Sequence, residues 1–314
     1  MQTILLIDGN AIMHRAFFAI PSTFRTADTP TNMVYGFVTM LHKAISDFKP
    51  EYVIICFDTS KPTFRKKMFE NYQAHRPKIS DDFKIQIPLI KEMLDLAGVT
   101  QIEKEGFEAD DIIGTLVEKY KRAYRILILT GDKDIMQLVD DTVYVMSPQT
   151  GISSIKLYNR EEVKNKLGCT PEEIPDLKAL MGDSSDNYSG AKGIGPKTAC
   201  SLLEQFKTIE HLLEHIDEIK NARIQGLIRE HREHILMSKK LATILRDVPI
   251  SISIESAQFN GFKEELKPFL DKLQMHSLME RIFAKQFERV PKLVKEKKEK
   301  QKSPTDIQQD KLFS

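Results

Sequence analysis

Cysteine is scarce and scattered: Cys56, Cys169 and Cys200 form no C-x-x-C pair. That excludes a zinc knuckle or a disulfide framework and suits a reducing cytoplasm. Long hydrophobic runs are also lacking; none approaches the roughly 18 apolar residues of a membrane span. The N-terminus, MQTILLIDGN, has neither a basic region nor a small-residue cleavage site, so it reads as a first strand rather than a signal peptide. Net charge is almost absent, with 46 Lys and Arg against 45 Asp and Glu, so the total does not argue for a nucleic-acid partner. No internal repeat is visible. What remains is 314 residues, 41% apolar and 29% charged, enough for one large or two moderate domains with a real core.

The charge that is present is unevenly placed. From Lys61 to Lys78, KPTFRKKMFENYQAHRPK carries six Lys or Arg against the single Glu70. By contrast GFEADDIIG (Gly106 to Gly114) crowds Glu108, Asp110 and Asp111 with no basic residue among them. Two like charges about 4 Å apart repel by roughly 1 kcal/mol in water and roughly 4 at an effective dielectric of 20. One reading is an acidic first turn of a helix, favoured by the helix dipole. The other is a set of ligands for a cation.

TILLID, YVIICFD and RILILTGD, with a weaker TVYVM (142–146), read as buried strands. Amphipathic helical patterns lie between them, at Val34 to Phe48, Ile85 to Ala97 and Asp111 to Lys121. The alternation predicts an α/β fold with a mostly parallel, twisted, doubly wound sheet, whose ligand crevice lies at the carboxyl ends of the strands. Asp8, Asp58 and Asp132 end three of these strands at that edge. A strand-end Asp is commonly a turn residue; three beside Glu108 point to one crevice. From Cys169 the pattern becomes all-helical, with helices expected through Ile216 to Arg246 and Phe262 to Phe287. The predicted organisation is an α/β domain over 1–168, a helical domain over 169–288 and a basic, disordered tail over 289–314.

Collected along the chain, the candidate metal ligands are Asp8, Asp58, Glu108, Asp110, Asp111, Asp132, Asp134, Asp183 and Asp186. No histidine joins them; His14, His75 and His211 are scattered and read as surface residues. An all-oxygen donor set suits Mg²⁺ or Mn²⁺ rather than Zn²⁺. One Mg²⁺ needs only one or two carboxylates, so this many imply two ions or more, as in two-metal phosphodiester cleavage. An aspartyl-phosphate phosphatase would want a second Asp two positions after Asp8, where Asn10 stands. No Ser-His-Asp or Cys-His set stands out.

GAKGIGPKTA (Gly190 to Ala199) is neither a P-loop, because Pro196 separates Gly195 from Lys197, nor a dinucleotide fingerprint, because position 198 is Thr and no strand precedes it. It fits a helix-hairpin-helix turn with Ile194 as apolar pin. Gly193 and Gly195 would let backbone approach a phosphate, the next helix's N-terminus with Thr198 would favour the anion, and Lys192 and Lys197 would add charge. Such contacts grip a nucleic-acid backbone without reading bases. A plain tight turn between helices is the alternative.

Taken together, LLIDGN with RAFFA, YGF, CFDTSKPTFRKKMFENY, GFEADDIIG, LTGDKDIMQLV, MGDSSDN and KGIGPKTA resemble the 5′-nuclease family, meaning the 5′→3′ exonuclease domain of bacterial DNA polymerase I and the flap endonucleases. The motifs occur in family order over about residues 1–285. The resemblance implies a PIN-like sheet with a helical arch at about 60–90, through which a 5′ single strand passes, and a C-terminal all-helical helix-hairpin-helix domain that grips duplex. It implies that the nine carboxylates hold two or more Mg²⁺ or Mn²⁺ ions. Arg65 and Arg76 would meet phosphate, Lys66 and Lys67 would contact DNA, and Tyr72 would stack on a base. The implied substrate is DNA with a 5′ flap or nick, the products a 5′-phosphate and a 3′-hydroxyl, and the role primer and flap removal by a monomer at the bacterial nucleoid, with no membrane partner.

Three departures stand out. In YQAHR, Gln73 occupies the arch position where the family usually has Lys, which predicts weak exonucleolytic trimming relative to flap cleavage. Ser189 stands where Pro is common, and the 314 residues contain no polymerase module, so the chain reads as either a stand-alone nuclease or a fragment. The last residues, QDKLFS, with Gln309, Leu312 and Phe313, resemble the Q-x-x-L-F peptides that dock in the bacterial sliding clamp, although Asp310 replaces the commoner aliphatic residue. The competing functional classes are a PIN-type ribonuclease and a non-catalytic, clamp-recruited DNA-binding protein.

Overall fold

The aliphatic runs pair into one sheet. In the computed structural model, which describes residues 1–149 and 154–284, six strands align: β1 (Thr3–Asp8), β2 (Tyr52–Phe57), β3 (Thr100–Glu103), β4 (Arg125–Leu129), β5 (Val143–Pro148) and β6 (Ile155–Tyr158). Their order is β3-β2-β1-β4-β5-β6, parallel throughout except for the antiparallel β5–β6 pair. The four expected strands are present. β3 and β6 were not anticipated, because at four residues each they are too short to show a period.

Helices fill the intervals. In chain order they are α1 (Gly9–Ala19), α2 (Asn32–Phe48), α3 (Phe64–Met68), α4 (Asp81–Ala97), α5 (Ala109–Tyr120), α6 (Arg160–Leu167), α7 (Ile174–Met181), α8 (Pro196–Phe206), α9 (Ile209–Glu214), α10 (Ala222–Glu230), α11 (Arg232–Ala242), α12 (Leu266–Lys272) and α13 (His276–Phe283). The long helical patterns expected over 216–246 and 262–287 are each broken, the first at His231 and the second at 273–275, where Gln274 has a φ of +56°.

Strand side chains alternate between two cores, as a period of two requires. Ile4, Leu6, Ile54, Cys56, Ile126 and Ile128 face a core shared with α5, α7 and α8. Leu5, Ile7, Val53, Ile55, Leu127 and Leu129 face another, shared with α1, α2, α4, α12 and α13. Burial on both faces is why these strands read as unbroken apolar runs. The helical segment after Cys169 therefore contributes to both cores, and residues 1–283 form a single compact unit.

The path of the sheet locates the crevice. From β1 the chain builds outward through β2 to β3, then returns to the other side of β1 for β4 and β5. The strand order thus reverses between β1 and β4, and ligands bind outside the carboxyl ends of such a switch point. Asp8, Asp58 and Asp132 all stand at that edge.

The arch expected at 60–90 is smaller and less helical than anticipated. Only α3 is helical before residue 81, followed by turns through 70–75 and irregular backbone through 77–80. Ser80 caps α4 by accepting from the Phe83 N–H at 3.3 Å, and Phe83, Ile90, Met93 and Leu94 then bury against the body. An apolar stripe at helical spacing claims residues 81–90 for the core. The basic tail and Gln309, Leu312 and Phe313 lie outside the described residues.

Candidate active site

Asp8 ends β1 and caps α1, accepting from the Ala11 N–H at 2.9 Å and from the Thr130 hydroxyl at 2.8 Å. Gly9 is needed beside it, since a Cβ there would stand 2.2 Å from the Phe57 ring. Asp58 follows β2; its N–H donates to Asn10 at 3.0 Å and its carboxylate accepts from the Ala109 N–H at 2.7 Å. Asp132 follows β4, with its N–H on the Thr130 hydroxyl at 3.0 Å and its Oδ1 accepting from the Asp134 N–H at 2.8 Å. These three join Glu108 and Asp110, at the start of α5, in lining a cavity of about 780 Å³. Glu108, Asp110 and Asp132 also line a smaller adjoining cavity together with Asp134 and Asp186. Ligand atoms of Asp134, Asp183 and Asp186 lie within 4.8 Å of one another.

The cavity concentrates negative charge away from water. Burial pushes Asp8 up to about 7, with Asp58 and Asp132 adding to it against the hydrogen bonds that Asp8 accepts. Burial likewise raises Glu108 to about 7, opposed by Arg65. Asp134 reaches about 7 through burial and Asp132, opposed by Lys178. Asp110 is driven well above the carboxylate range by burial and then by Asp132, Asp8 and Asp58. Asp183 goes the other way: burial would raise it, but Lys178 and Ser185 hold it at about 2.

Asp111 does not join the cluster. It is fully buried, and its two oxygens accept from Arg65 at 2.7 and 2.8 Å, from the Leu245 N–H at 2.9 Å and from the Glu108 N–H at 3.2 Å. Both readings of GFEADDIIG therefore hold, for different residues. Asp111 fastens the helix start, while Glu108 and Asp110 face the cavity.

The arch residues differ most from expectation. Arg65, expected to meet phosphate, is 2% exposed and donates to Asp111, to Glu108 at 3.3 Å and to the carbonyls of Leu241 and Thr243, both at 2.8 Å. Tyr72, expected to stack on a base, is 4% exposed; its hydroxyl donates to Glu108 at 3.2 Å and to Asp186 at 3.1 Å. Unpaired buried carboxylates draw in the nearest donors, and these side chains supply them. Arg76 is half-exposed and holds Asp186 at 2.7 Å. Lys66 lines the larger cavity and donates to the carbonyls of Glu70 and Tyr72, while Lys67 is exposed on α3. Gln73 lines both cavities, with a φ of +56° and its N–H on the Asp186 carbonyl at 2.9 Å.

At the glycine hairpin, Lys192, Gly193, Gly195 and Lys197 are exposed, Thr198 is half-buried and Ile194 is buried. Gly193 has a φ of +97°, and Gly195 caps α8 with Pro196 in its first turn. Lys178, Thr130 and Thr63 escaped sequence reasoning. Lys178 pairs with Asp134 and Asp183, and Thr63 donates to Glu108 at 3.0 Å. Nothing in their local sequence marks them, because Asp134, Asp8 and Glu108, which they reach, lie 44, 122 and 45 positions away.

The donor chemistry fits a hard divalent cation. The five carboxylates offer oxygen alone, although His14 also lines the cavity, and buried carboxylates this close hold protons or cations. The Tyr188 hydroxyl, buried beside Asp134, Asp183 and Asp186, has no hydrogen-bond partner among the described residues, and a metal-bound water would satisfy it. Asp8, Asp58, Glu108, Asp110 and Asp132 could hold one ion, and Asp134, Asp183 and Asp186 another.

This sheet with an acidic switch point, continued by a helical layer, defines the class: residues 3–168 match the profile of the 5′-3′ exonuclease N-terminal resolvase-like domain, and residues 169–265 that of the 5′-3′ exonuclease C-terminal SAM fold. The chain is 36% identical over 284 residues to a 5′-3′ exonuclease of Aquifex aeolicus, covering 90% of this chain and 96% of that protein. It is 41% identical over 283 residues to DNA polymerase I of Bacillus subtilis, covering 90% of this chain but 32% of the polymerase. The chain thus spans about a third of the DNA polymerase I relatives it matches. A bacteriophage T5 flap endonuclease, solved as a pseudo-enzyme–product complex with DNA and metal ions, shares the fold at a TM-score of 0.65 and 17% identity, covering 87% of this chain and 98% of that one. The chain belongs to the 5′-3′ exonuclease family.

Proposed function

We propose that the chain is a divalent-cation-dependent, structure-specific 5′ nuclease that hydrolyses DNA phosphodiesters, and RNA-primer phosphodiesters, at 5′ flaps and nicks. The observation that carries this reading is the set of five carboxylates lining one cavity at the sheet's switch point, with burial raising the proton affinity of Asp8, Asp58, Glu108 and Asp110. The chemistry that two or more bound Mg²⁺ or Mn²⁺ ions supply is activation of a water and stabilisation of the leaving oxygen.

The remaining work falls to the chain. Asp8, Asp58, Glu108, Asp110, Asp132, Asp134, Asp183 and Asp186 hold the cations. The Thr130 hydroxyl and the Ala11, Ala109 and Asp134 N–H groups hold the carboxylates of Asp8, Asp58 and Asp132 in place, so little rearrangement is needed at the moment of reaction. Lys61, Lys66 and Arg76 stand at the cavity and attract the phosphates of an incoming strand. Arg76 exchanges Asp186 for phosphate when the substrate arrives. The hairpin of Lys192, Gly193, Gly195, Lys197 and Thr198 acts as a helix-hairpin-helix grip on the duplex. The products are a 5′-phosphate and a 3′-hydroxyl. Gln309, Leu312 and Phe313 recruit the protein, a monomer of the bacterial cytoplasm, to the sliding clamp.

The test is incubation with a 5′-flap DNA and a matched RNA, in Mg²⁺ or in chelator. Cleavage of the flap in Mg²⁺ alone, lost on Asp132→Asn or Asp186→Asn, supports the proposal. Cutting of RNA only would favour a PIN-type ribonuclease, and binding without cutting a non-catalytic scaffold.

A further inference from the structure

The carboxylates around the two cavities are not neutralised in the same manner. Asp8 accepts from a backbone N–H and a threonine hydroxyl, and Asp58 from a backbone N–H, all uncharged donors; in that set it is Glu108, at the rim beside Asp111, that meets a cation, Arg65 at 3.3 Å. At Asp134, Asp183 and Asp186 the chain supplies cations of its own. The Lys178 ammonium reaches from α7 onto Asp134, in the turn after β4, and onto Asp183, in the loop after α7. Arg76 covers Asp186. The Lys178 side chain is 19% exposed, and those of Asp134 and Asp183 are 13% and 12% exposed, so the ammonium sits among the carboxylates rather than in solvent.

A lysine ammonium is a compact point charge on a flexible stem. Held by two of three carboxylates whose oxygens lie within 4.8 Å of one another, it stands where a small hard cation shared by them would stand. The two cannot occupy that position together. We propose that Lys178 is the built-in counter-ion of this second carboxylate set and that it limits how tightly the set takes a divalent cation. The inference rests on reading the acidic cluster as a cation centre. In the ion-free chain Lys178 ties the 183–187 loop to α7 and to the turn after β4, which keeps Asp183 and Asp186 aimed inward. Uptake of an ion requires the ammonium to swing off both partners, so this set binds more weakly than the set around Asp8. Lys178 is thus a positioning residue, acting through Asp134 and Asp183.

The probe is Mn²⁺ alone, with free ion followed by electron paramagnetic resonance in the full chain without DNA. The wild type is expected to show a tighter and a weaker class of site. Lys178→Met tightens the weaker class by about tenfold or more, because a competing positive charge has gone, and leaves the tighter class unchanged. Lys178→Arg, which keeps the charge, does not tighten it. In chelator Lys178→Met melts below the wild type, and Mn²⁺ closes the gap; a purely structural ion pair would leave the gap open. Lys178→Gln is the second neutral variant should Lys178→Met fail to fold. An unchanged or weakened second class in the neutral variants, or equal tightening in Lys178→Arg, overturns the inference while leaving the cation centre standing. No Mn²⁺ uptake by the wild type overturns the centre itself and this inference with it.

Discussion

Arg65→Ala tests whether the arch begins with a phosphate contact or with a structural anchor. All five guanidinium N–H donors are engaged: one on the Leu241 carbonyl, two on Asp111, one on Glu108 and one on the Thr243 carbonyl. The residue is 2% exposed and Asp111 is fully buried, so truncation leaves a carboxylate without its counter-charge and two carbonyls without donors. Breaking a buried pair from one side costs about 3–5 kcal/mol. Asp111 keeps two backbone N–H donors, from Glu108 and Leu245, which places the expectation near the lower figure. For the unit of residues 1–283 that corresponds to a fall in melting temperature of about 5 °C. Urea unfolding followed by circular dichroism measures it.

Arg65→Lys should recover only part of the loss, because an ammonium cannot make the bidentate contact. Arg65→Met with Asp111→Leu should cost less than the two single changes added, since no charge is stranded. If Arg65→Ala loses under about 1 kcal/mol while cleavage collapses, the side chain works on phosphate and the anchor is wrong.

Further expectations follow from the same geometry. Asp8, Glu108 and Asp134 are raised to about 7 in the ion-free fold, so their protons stabilise it at acid pH and that stability is lost as pH rises through 7. In chelator the melting temperature should therefore fall between about pH 4 and 7, and added Mg²⁺ should offset more of the loss at the higher pH; a flat profile would contradict this. Asp183, lowered to about 2, acts oppositely, contributing above its ordinary value and losing its contribution only near pH 2. Gly190→Ala would place a Cβ 2.3 Å from the Leu180 carbonyl and 2.5 Å from that of Ala179, so it should cost a few kcal/mol, about 1–3 or more, in urea unfolding. Gln73→Lys should raise exonucleolytic trimming relative to flap cleavage on matched substrates; an unchanged ratio refutes the role given to position 73. Deleting residues 310–314 should abolish clamp binding yet spare cleavage of a free flap, and equal clamp affinity with and without them rejects the tail motif.

The sheet was legible because its strands are buried on both faces, so TILLID and YVIICF announce themselves as continuous apolar runs. The crevice was legible for a related reason. Strand ends in a parallel sheet share one edge, so Asp8, Asp58 and Asp132 had to be neighbours once the sheet was granted. β3 and β6 were not legible: their pairing is decided by strands already in place rather than by their own four residues. The extent of the arch was misjudged because a basic run looks exposed throughout. Only the apolar stripe from Phe83, at helical spacing, returns the chain to the core.

What a carboxylate pairs with is harder to read than where it sits. Asp110 and Asp111 are adjacent in sequence and identical in chemistry, yet one faces the cavity and the other is locked to Arg65, because successive helix positions point about 100° apart. Arg65, Tyr72 and Lys178 share that ambiguity in reverse. Arg65 and Tyr72 looked like groups reaching for substrate and Lys178 was passed over, yet each satisfies a buried acid far along the chain, 46, 114 and 44 positions away in turn. A dense acidic site creates its own demand for donors, and the donors nearest to hand are those that the substrate's phosphates would otherwise recruit. The basic side chains around such a centre therefore divide into those held by the fold and those free to exchange. Solvent exposure separates them here: Arg65 at 3% on its side chain is held, whereas Arg76 at 52% can leave Asp186 for solvent or phosphate, provided a cation takes its place on that buried carboxylate.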